Sequence, residues 1–285
     1  MLNFTTQILS IFLGLLFTSQ ALAFPMPNAN FRPQAASRSL SLDYNFEGIV
    51  SLSNCSGSLI RFENSVSSDT AMILTNGHCL ESGFTEPNEV INYEPNARRF
   101  NILNPQGQAI GKVSATAIIY ATMTKTDISI YRLRETFADI ERDFNVRPLT
   151  LASSHPQKQQ AIEIISGYWK HGYSCLIENF IHELKEAQWS FSDSIRFSQP
   201  GCETIGGTSG SPLVLKGTRT VIGINNTGNE SGENCTMNNP CEIDADGKMS
   251  SNKGVSYGQQ TYWIYSCLNG KNELDLKTAG CQLPM

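Results

Sequence analysis

Three short segments carry side chains that could act on an acyl group. The segment Gly206, Gly207, Thr208, Ser209, Gly210, Ser211, Pro212 sets a serine among glycines directly before the apolar run Leu213 to Leu215. Small residues at such a point let backbone amides turn inward together and let a carbonyl approach closely, so the amides of Gly207 and Ser209 are candidate oxyanion donors. Taken alone, the pattern fits a Gly/Ser loop between strands about as well. Met72, Ile73, Leu74, Thr75, Asn76, Gly77, His78, Cys79 read as an apolar strand ending in a Gly-His-Cys turn. A histidine fixed at a strand end, with an unperturbed pKa of about 6.5, suits proton transfer near neutral pH. In Thr126, Asp127, Ile128, Ser129, Ile130, Tyr131, Arg132, Leu133 a carboxylate leads into an alternating strand. Such an aspartate can fix the tautomer of a histidine and stabilise its imidazolium, although a strand-start Asp is by itself commonplace. His155, His171 and His182 have no comparable surroundings.

These residues need a frame, and the apolar pattern supplies one. Gly48 to Leu52, Ser58 to Phe62, Met72 to Thr75, Ala117 to Tyr120, Ile128 to Leu133, Ile162 to Ile165, Pro212 to Leu215 and Val221 to Ile224 are short apolar groups separated by Gly, Asn, Ser and Pro. Many short strands at intervals of roughly 8 to 12 residues indicate a sandwich or barrel. No sustained helical pattern precedes the C-terminal end. Ile181 to Ser190 could form one or two helical turns, and Asn225 to Asn252 reads as a polar surface insertion stapled by Cys235 and Cys241. Glu242, Asp244, Asp246 and Gly247 resemble the start of a calcium loop, but Lys253 stands where a closing Glu would be, which favours a Gly-bearing turn.

Residues 1–23 contain no charged side chain, and the run Ile8 to Phe17 is followed by Ala21, Leu22, Ala23. That pattern reads as a signal peptide, and the run is too short to span a bilayer. Residues 24–41, rich in Pro, Asn, Ser and Ala, read as a mobile arm or propeptide, which leaves 42–285 as the folded domain. A secreted or periplasmic protein without membrane attachment after cleavage is expected. All eight cysteines (Cys55, Cys79, Cys175, Cys202, Cys235, Cys241, Cys267, Cys281) lie beyond residue 23, and an even count in an exported chain favours disulfides. His171 and Cys175 are spaced like metal ligands, but no CxxC pair accompanies them, so no metal is expected. The net charge of −5 and the lack of a Lys/Arg cluster mixed with aromatics argue against nucleic acid as a partner.

Together the segments resemble the trypsin/chymotrypsin family of serine peptidases. Cys55 to Ile60 is similar to that family's Cys-Gly-Gly-Ser-Leu-Ile strand and Thr75 to Cys79 to its Thr-Ala-Ala-His-Cys. Asp127 to Leu133 is similar to Asp-Ile-Ala-Leu, and Gly207 to Pro212 to Gly-Asp-Ser-Gly-Gly-Pro. The order His, Asp, Ser along the chain also agrees. Fainter similarity covers Ile165 to Trp169, Ile222 to Ile224 and Gly254 to Cys267. The resemblance implies an all-β, chymotrypsin-type double six-stranded antiparallel β-barrel with a short C-terminal helix. It implies a His78, Asp127, Ser209 triad, an oxyanion hole at Gly207 and Ser209, and a disulfide from Cys55 to Cys79. Cys175 with Cys202, Cys235 with Cys241 and Cys267 with Cys281 complete the expected pairs.

The departures from the family bear on activation and specificity. Thr208 replaces the Asp that binds a new N-terminus in animal members, whereas secreted bacterial members share Ser-Gly-Ser-Pro with residues 209–212. Glu203 stands six residues before Ser209, where the family has its pocket base, with Thr204 beside it; Asn225, Asn226 and Thr227 complete the expected pocket. An anionic base would favour Lys or Arg side chains. Asn226 or Thr227 replaces the serine that usually supports the Asp. The expected activity is a monomeric serine endopeptidase acting on protein or peptide substrates without a cofactor. A catalytically latent binding module and a serine esterase are the alternatives.

Overall fold

In the computed structural model the described residues are 44–197 and 199–285, and the expected signal peptide and arm lie outside them. Two closed barrels organise the chain. In the first, Ile49–Ser51, Ser56–Arg61, Thr70–Thr75, Ile128–Thr136, Ala109–Thr122 and Arg99–Leu103 pair antiparallel in that order, and the last returns to the first. In the second, Ala161–Ser166, His171–Glu186, Trp189–Phe197, Ser256–Gln260, Thr220–Gly228 and Pro212–Leu215 close the same kind of ring. This is the chymotrypsin-type double barrel. The short strand Leu149–Leu151 runs parallel to a strand of each barrel and joins them.

Period-two alternation explains how one set of short strands fills three cores. Successive side chains of a strand point to opposite faces. Val50, Leu59, Ile73, Tyr131 and Leu133 turn into the first barrel, and Ile162, Ile164, Leu213 and Ile222 into the second. Their neighbours Ile49, Ile60, Leu74, Ile130, Ile165, Val214 and Val221 turn outward into a shared layer between the barrels, completed by Ile264 and Cys267 of the turn Tyr262–Cys267. A strand buried on both faces loses the polar half of its alternation. The sequence therefore shows short continuous apolar runs at those positions.

Three expectations require correction. Ile181 to Ser190 contains no helical turn: the strand His171–Glu186 reverses at Ala187 and Gln188 into Trp189–Phe197, with Ala187 at φ +49°. Ile181 and Leu184, three apart as on a helix, are instead buried by pairing with Trp189–Phe197 and with Cys241–Ile243. Tertiary pairing overrides the local pattern. Conversely, an α-helix spans Phe137–Phe144, before the C-terminal end. Thr136 and Asp139 form a reciprocal capping box, a threonine with an acidic residue three positions on, and Asn145 closes the other end in the left-handed region. The C-terminal helix is a short 3-10 turn, Tyr262–Cys267. The segment after Asn225 is also less detached than a surface insertion: Asn225 to Gly228 complete a barrel strand, and Cys241–Ile243 docks on Glu183 to Lys185. Asp244 to Gly247 form the Gly-bearing turn of a small hairpin.

Candidate active site

His78 sits in a single 3-10 turn, Gly77–Cys79, just past the strand Thr70–Thr75. Cys79 is bonded to Cys55, and Gly77 packs so closely on the Thr122 carbonyl that a Cβ there would lie 2.2 Å from the oxygen. Only glycine fits. Thr75 pairs with Ser129, which brings Asp127, just before the strand Ile128–Thr136, alongside the turn. Asp127 Oδ1 accepts the His78 backbone N–H at 3.0 Å, and Oδ2 lies 2.6 Å from His78 Nδ1. The Asp127 carbonyl accepts from Asn76 Nδ2 at 2.7 Å, while the Ser129 hydroxyl donates to the Asn76 carbonyl at 2.8 Å. The Asp127 side chain is 1% exposed and that of His78 17%. With Nδ1–H directed at the carboxylate, Nε2 keeps its lone pair toward the cleft. Burial disfavours the imidazolium, but the charge and hydrogen bond of Asp127 and the charge of Glu186 outweigh it, leaving the His78 pKa above its ordinary value.

Ser209 comes from the second barrel, on the loop before Pro212–Leu215. Gly210 beside it has φ +78°, and a Cβ there would lie 2.2 Å from both the Ser56 carbonyl and Thr75 Oγ1, so this glycine allows the loop to pack on the first barrel. Gly210 N donates to Asn225 O, Asn225 N to Ser211 O, and Ser56 N to Ser209 O. Ser209 Oγ donates to the Asn226 carbonyl at 3.4 Å and makes no hydrogen bond to His78. His78, Asp127 and Ser209 nevertheless line one cavity of about 350 Å³.

Trp169 and Ser56 orient the peptide groups before the serine. The Trp169 indole N–H donates to the Gly206 carbonyl at 2.7 Å. A trans peptide directs its N–H opposite its C=O, so this bond turns the Gly207 N–H away from Trp169. Among the described residues, neither the Gly207 amide nor that of Ser209 donates to a protein acceptor. The Ser56 hydroxyl donates to Gly207 O at 3.2 Å and accepts from Tyr168 N at 3.1 Å, with Ser166 Oγ 3.0 Å away. Ser56 lies within the motif Cys55 to Ile60 but is not marked by it as a site residue, because it occupies an ordinary strand position; its place directly after Cys55 was a usable signal.

Glu203, Thr204, Asn225, Asn226 and Thr227 all line the cavity. Glu203 is exposed, and its carboxylate accepts from the Gly201 amide. Neither Asn226 nor Thr227 hydrogen-bonds Asp127, contrary to expectation. Asn226 Nδ2 is buried without a partner among the described residues, and Thr227 supports Glu186. Sequence reading missed Glu186, a buried carboxylate lining the same cavity, and the aromatic wall of Phe84 and Trp189. Phe84 packs edge-on against both His78 and Trp189. Cys55, Cys79 and His78 cluster closely enough to hold a metal, but both sulfurs are spent in the disulfide, which removes the thiolates a metal would need. Cys175 is likewise bonded to Cys202; Cys235–Cys241 and Cys267–Cys281 are the other pairs.

No curated protein matches the chain. Among solved structures it is similar to the MamO protease domain of Magnetospirillum magneticum, with 12% identity over 78% of this chain and 96% of that one, at a TM-score of 0.47. It is also similar to the thermostable serine protease AL20 of an extremophilic microorganism, with 16% identity, 76% and 92% coverage and a TM-score of 0.43. Nocardiopsis protease has 12% identity, 76% and 92% coverage and a TM-score of 0.42. The family model of the trypsin-like peptidase domain matches residues 55–224, from the cysteine bonded beside His78 to the strand that closes the cleft behind Ser209. With that match spanning more than half of its length, the chain belongs to the trypsin-like peptidase family.

Proposed function

We propose that this chain is a secreted serine endopeptidase that uses His78, Asp127 and Ser209 as its catalytic triad. The observation that carries the reading is the two-point clamp of Asp127 on His78, through Nδ1 and the backbone amide, with Nε2 free on a cavity that Ser209 shares. Ser209 Oγ leaves the Asn226 carbonyl by rotation of its side chain and gives its proton to Nε2 while the oxygen attacks the substrate carbonyl. The Gly207 and Ser209 amides receive the negative charge that develops on the carbonyl oxygen. The imidazolium then protonates the leaving amine, the C–N bond breaks, and an acyl-enzyme remains. Water, deprotonated by His78, cleaves that ester and restores the Ser209 hydroxyl. No step calls for a cofactor. Residues 1–23 serve for export and 24–41 as an arm or propeptide ahead of the peptidase domain 42–285. The carboxylates of the cleft favour substrates with basic side chains.

The bond from Ser209 Oγ to Asn226 favours a second reading, a latent enzyme or binding module whose serine is held away from its base. Exposure of the purified mature protein to a sulfonyl fluoride or organophosphonate, followed by intact mass and peptide mapping, separates the two. A single adduct on Ser209 is expected. A folded, disulfide-bonded protein that takes no adduct overturns the active-enzyme reading.

A further inference from the structure

Glu186 ends the strand His171–Glu186 and is 7% exposed, yet it lines the cavity that contains His78 and Ser209. Its hydrogen-bonding neighbours are neutral: Asn238 N donates to Oε1 at 2.7 Å, and Thr227 contributes a side-chain bond. Among the described residues no lysine or arginine pairs with it, and the charged groups that act on it are His78 and Asp127. A carboxylate buried without a cation is costly, because little inside the protein offsets the lost hydration. Burial accordingly raises the Glu186 pKa, with Asp127 adding to the effect. Beside it stand Trp189 and Phe84, the latter 48% exposed, which present aromatic surface at the same cavity. Aromatic surface leading to an unpaired carboxylate suits a long aliphatic stem with a cationic tip. Glu203 offers no such setting: its carboxylate is exposed and bonded to Gly201 N.

We propose that Glu186, not Glu203, is the specificity-determining residue of the cleft, holding the ammonium or guanidinium of a substrate Lys or Arg against Trp189 and Phe84. The inference rests on the serine-peptidase reading above. An incoming cation supplies the partner the carboxylate lacks, so binding recovers a cost already present in the free protein.

The test compares peptides carrying lysine with the same peptides carrying ε-acetyl-lysine, which keeps the stem and removes the charge, at each position around the scissile bond. At one position the wild-type protein should cleave the lysine peptide on the order of 10- to 100-fold better in kcat/KM, the worth of one charge-assisted hydrogen bond. Glu186→Gln should bring that ratio close to one, and Glu203→Gln should preserve it. Equal cleavage of the two peptides by wild type, a ratio retained in Glu186→Gln, or a ratio lost in Glu203→Gln overturns the assignment. Should Glu186→Gln fail to fold, the Glu203→Gln ratio still decides between the two carboxylates. The same preparation is tested for sulfonyl fluoride labelling at Ser209. A labelled protein without charge preference sinks the subsite alone, whereas an unlabelled protein without hydrolysis sinks the peptidase reading beneath it.

Discussion

The two barrels meet at the cleft with unequal finish. On the first-barrel face the groups that hold His78 have defined partners: both Asp127 carboxylate oxygens are engaged, the Asp127 carbonyl takes Asn76 and the Asn76 carbonyl takes Ser129, although Asn76 Oδ1 and Thr126 Oγ1 nearby are buried without partners among the described residues. On the second-barrel face Thr208 Oγ1, Ser211 Oγ, Asn225 Oδ1, Asn226 Nδ2 and Gln259 Oε1 are buried without partners among the described residues, and the Ser209 hydroxyl makes one long bond. An unpaired buried polar group costs about 1–3 kcal/mol, so both faces store unfavourable energy, and they differ in how firmly the side chain at the cleft is held: His78 by two bonds from Asp127, Ser209 by one long bond. A peptidase needs its base held in one geometry before substrate arrives, whereas its substrate-binding strand must still exchange bonds. Under the proposed mechanism the contrast fits proton transfer at the more firmly held first face and adaptation at the second.

The largest effect that tests this division is kinetic. Ser209→Ala should reduce kcat by a factor on the order of 10⁵ to 10⁶, with unchanged melting, because it removes the proposed nucleophile and only one long hydrogen bond. Asp127→Asn should cost about 10⁴-fold through the wrong histidine tautomer. Single-turnover assays on both variants read the difference. Comparable losses from Asn226→Ala would place the fixed geometry on the wrong face.

A smaller effect appears in the pH profile. In the proposed mechanism neutral His78 is the base, and its pKa lies above the ordinary value because Asp127 and Glu186 together outweigh burial. Activity should therefore rise through an acid limb centred above about 6.5. Glu186→Gln removes one of the two anions that favour the imidazolium, so its limb should move to lower pH. A limb that stays in place or moves upward would show that Glu186 does not act on the base. In stability the sign reverses. A histidine with a raised folded pKa favours the folded state most fully below the unfolded pKa, and that contribution is lost as pH rises through the folded value.

The first face was legible in three short motifs and the second in one, Gly207 to Pro212. Thr75 to Cys79, Asp127 to Leu133 and Cys55 to Ile60 lie in strands or tight turns whose side chains are constrained locally, so short motifs suffice to recognise them. Apolar runs likewise marked the barrel strands, because burial on both faces leaves an unbroken apolar signature. Glu186 was invisible for the opposite reason. It became a cleft residue only when Ala187 and Gln188 turned the strand and Asn238, far along the chain, supplied its donor. Local sequence read that stretch as helix, and nothing within it indicates which barrel strand it pairs with. The helix Phe137–Phe144 had a readable cap in Thr136 and Asp139, but its eight residues are too few for a periodic apolar face to stand out.

The smallest effect concerns the joint between the faces. Ser56, itself fully buried, belongs to the first barrel, yet its hydroxyl serves Gly207 and Tyr168 and meets Ser166, all from the second chain half. Ser56→Ala leaves the Gly207 carbonyl and the Tyr168 amide without that partner, at a cost of about 1–3 kcal/mol. For a domain of this size each kcal/mol lowers Tm by about 2–4 °C, so a fall of roughly 2–12 °C is expected by calorimetry. The Gly207 carbonyl and Thr208 N form the peptide that lies between the two candidate oxyanion donors, the amides of Gly207 and Ser209. Its release should therefore lower kcat more than it raises KM, since the amides beside it act on charge present only in the transition state. Loss of stability with kcat intact would make Ser56 a packing residue of the joint. Loss of both would make the first barrel the support for the oxyanion donors as well as for the base.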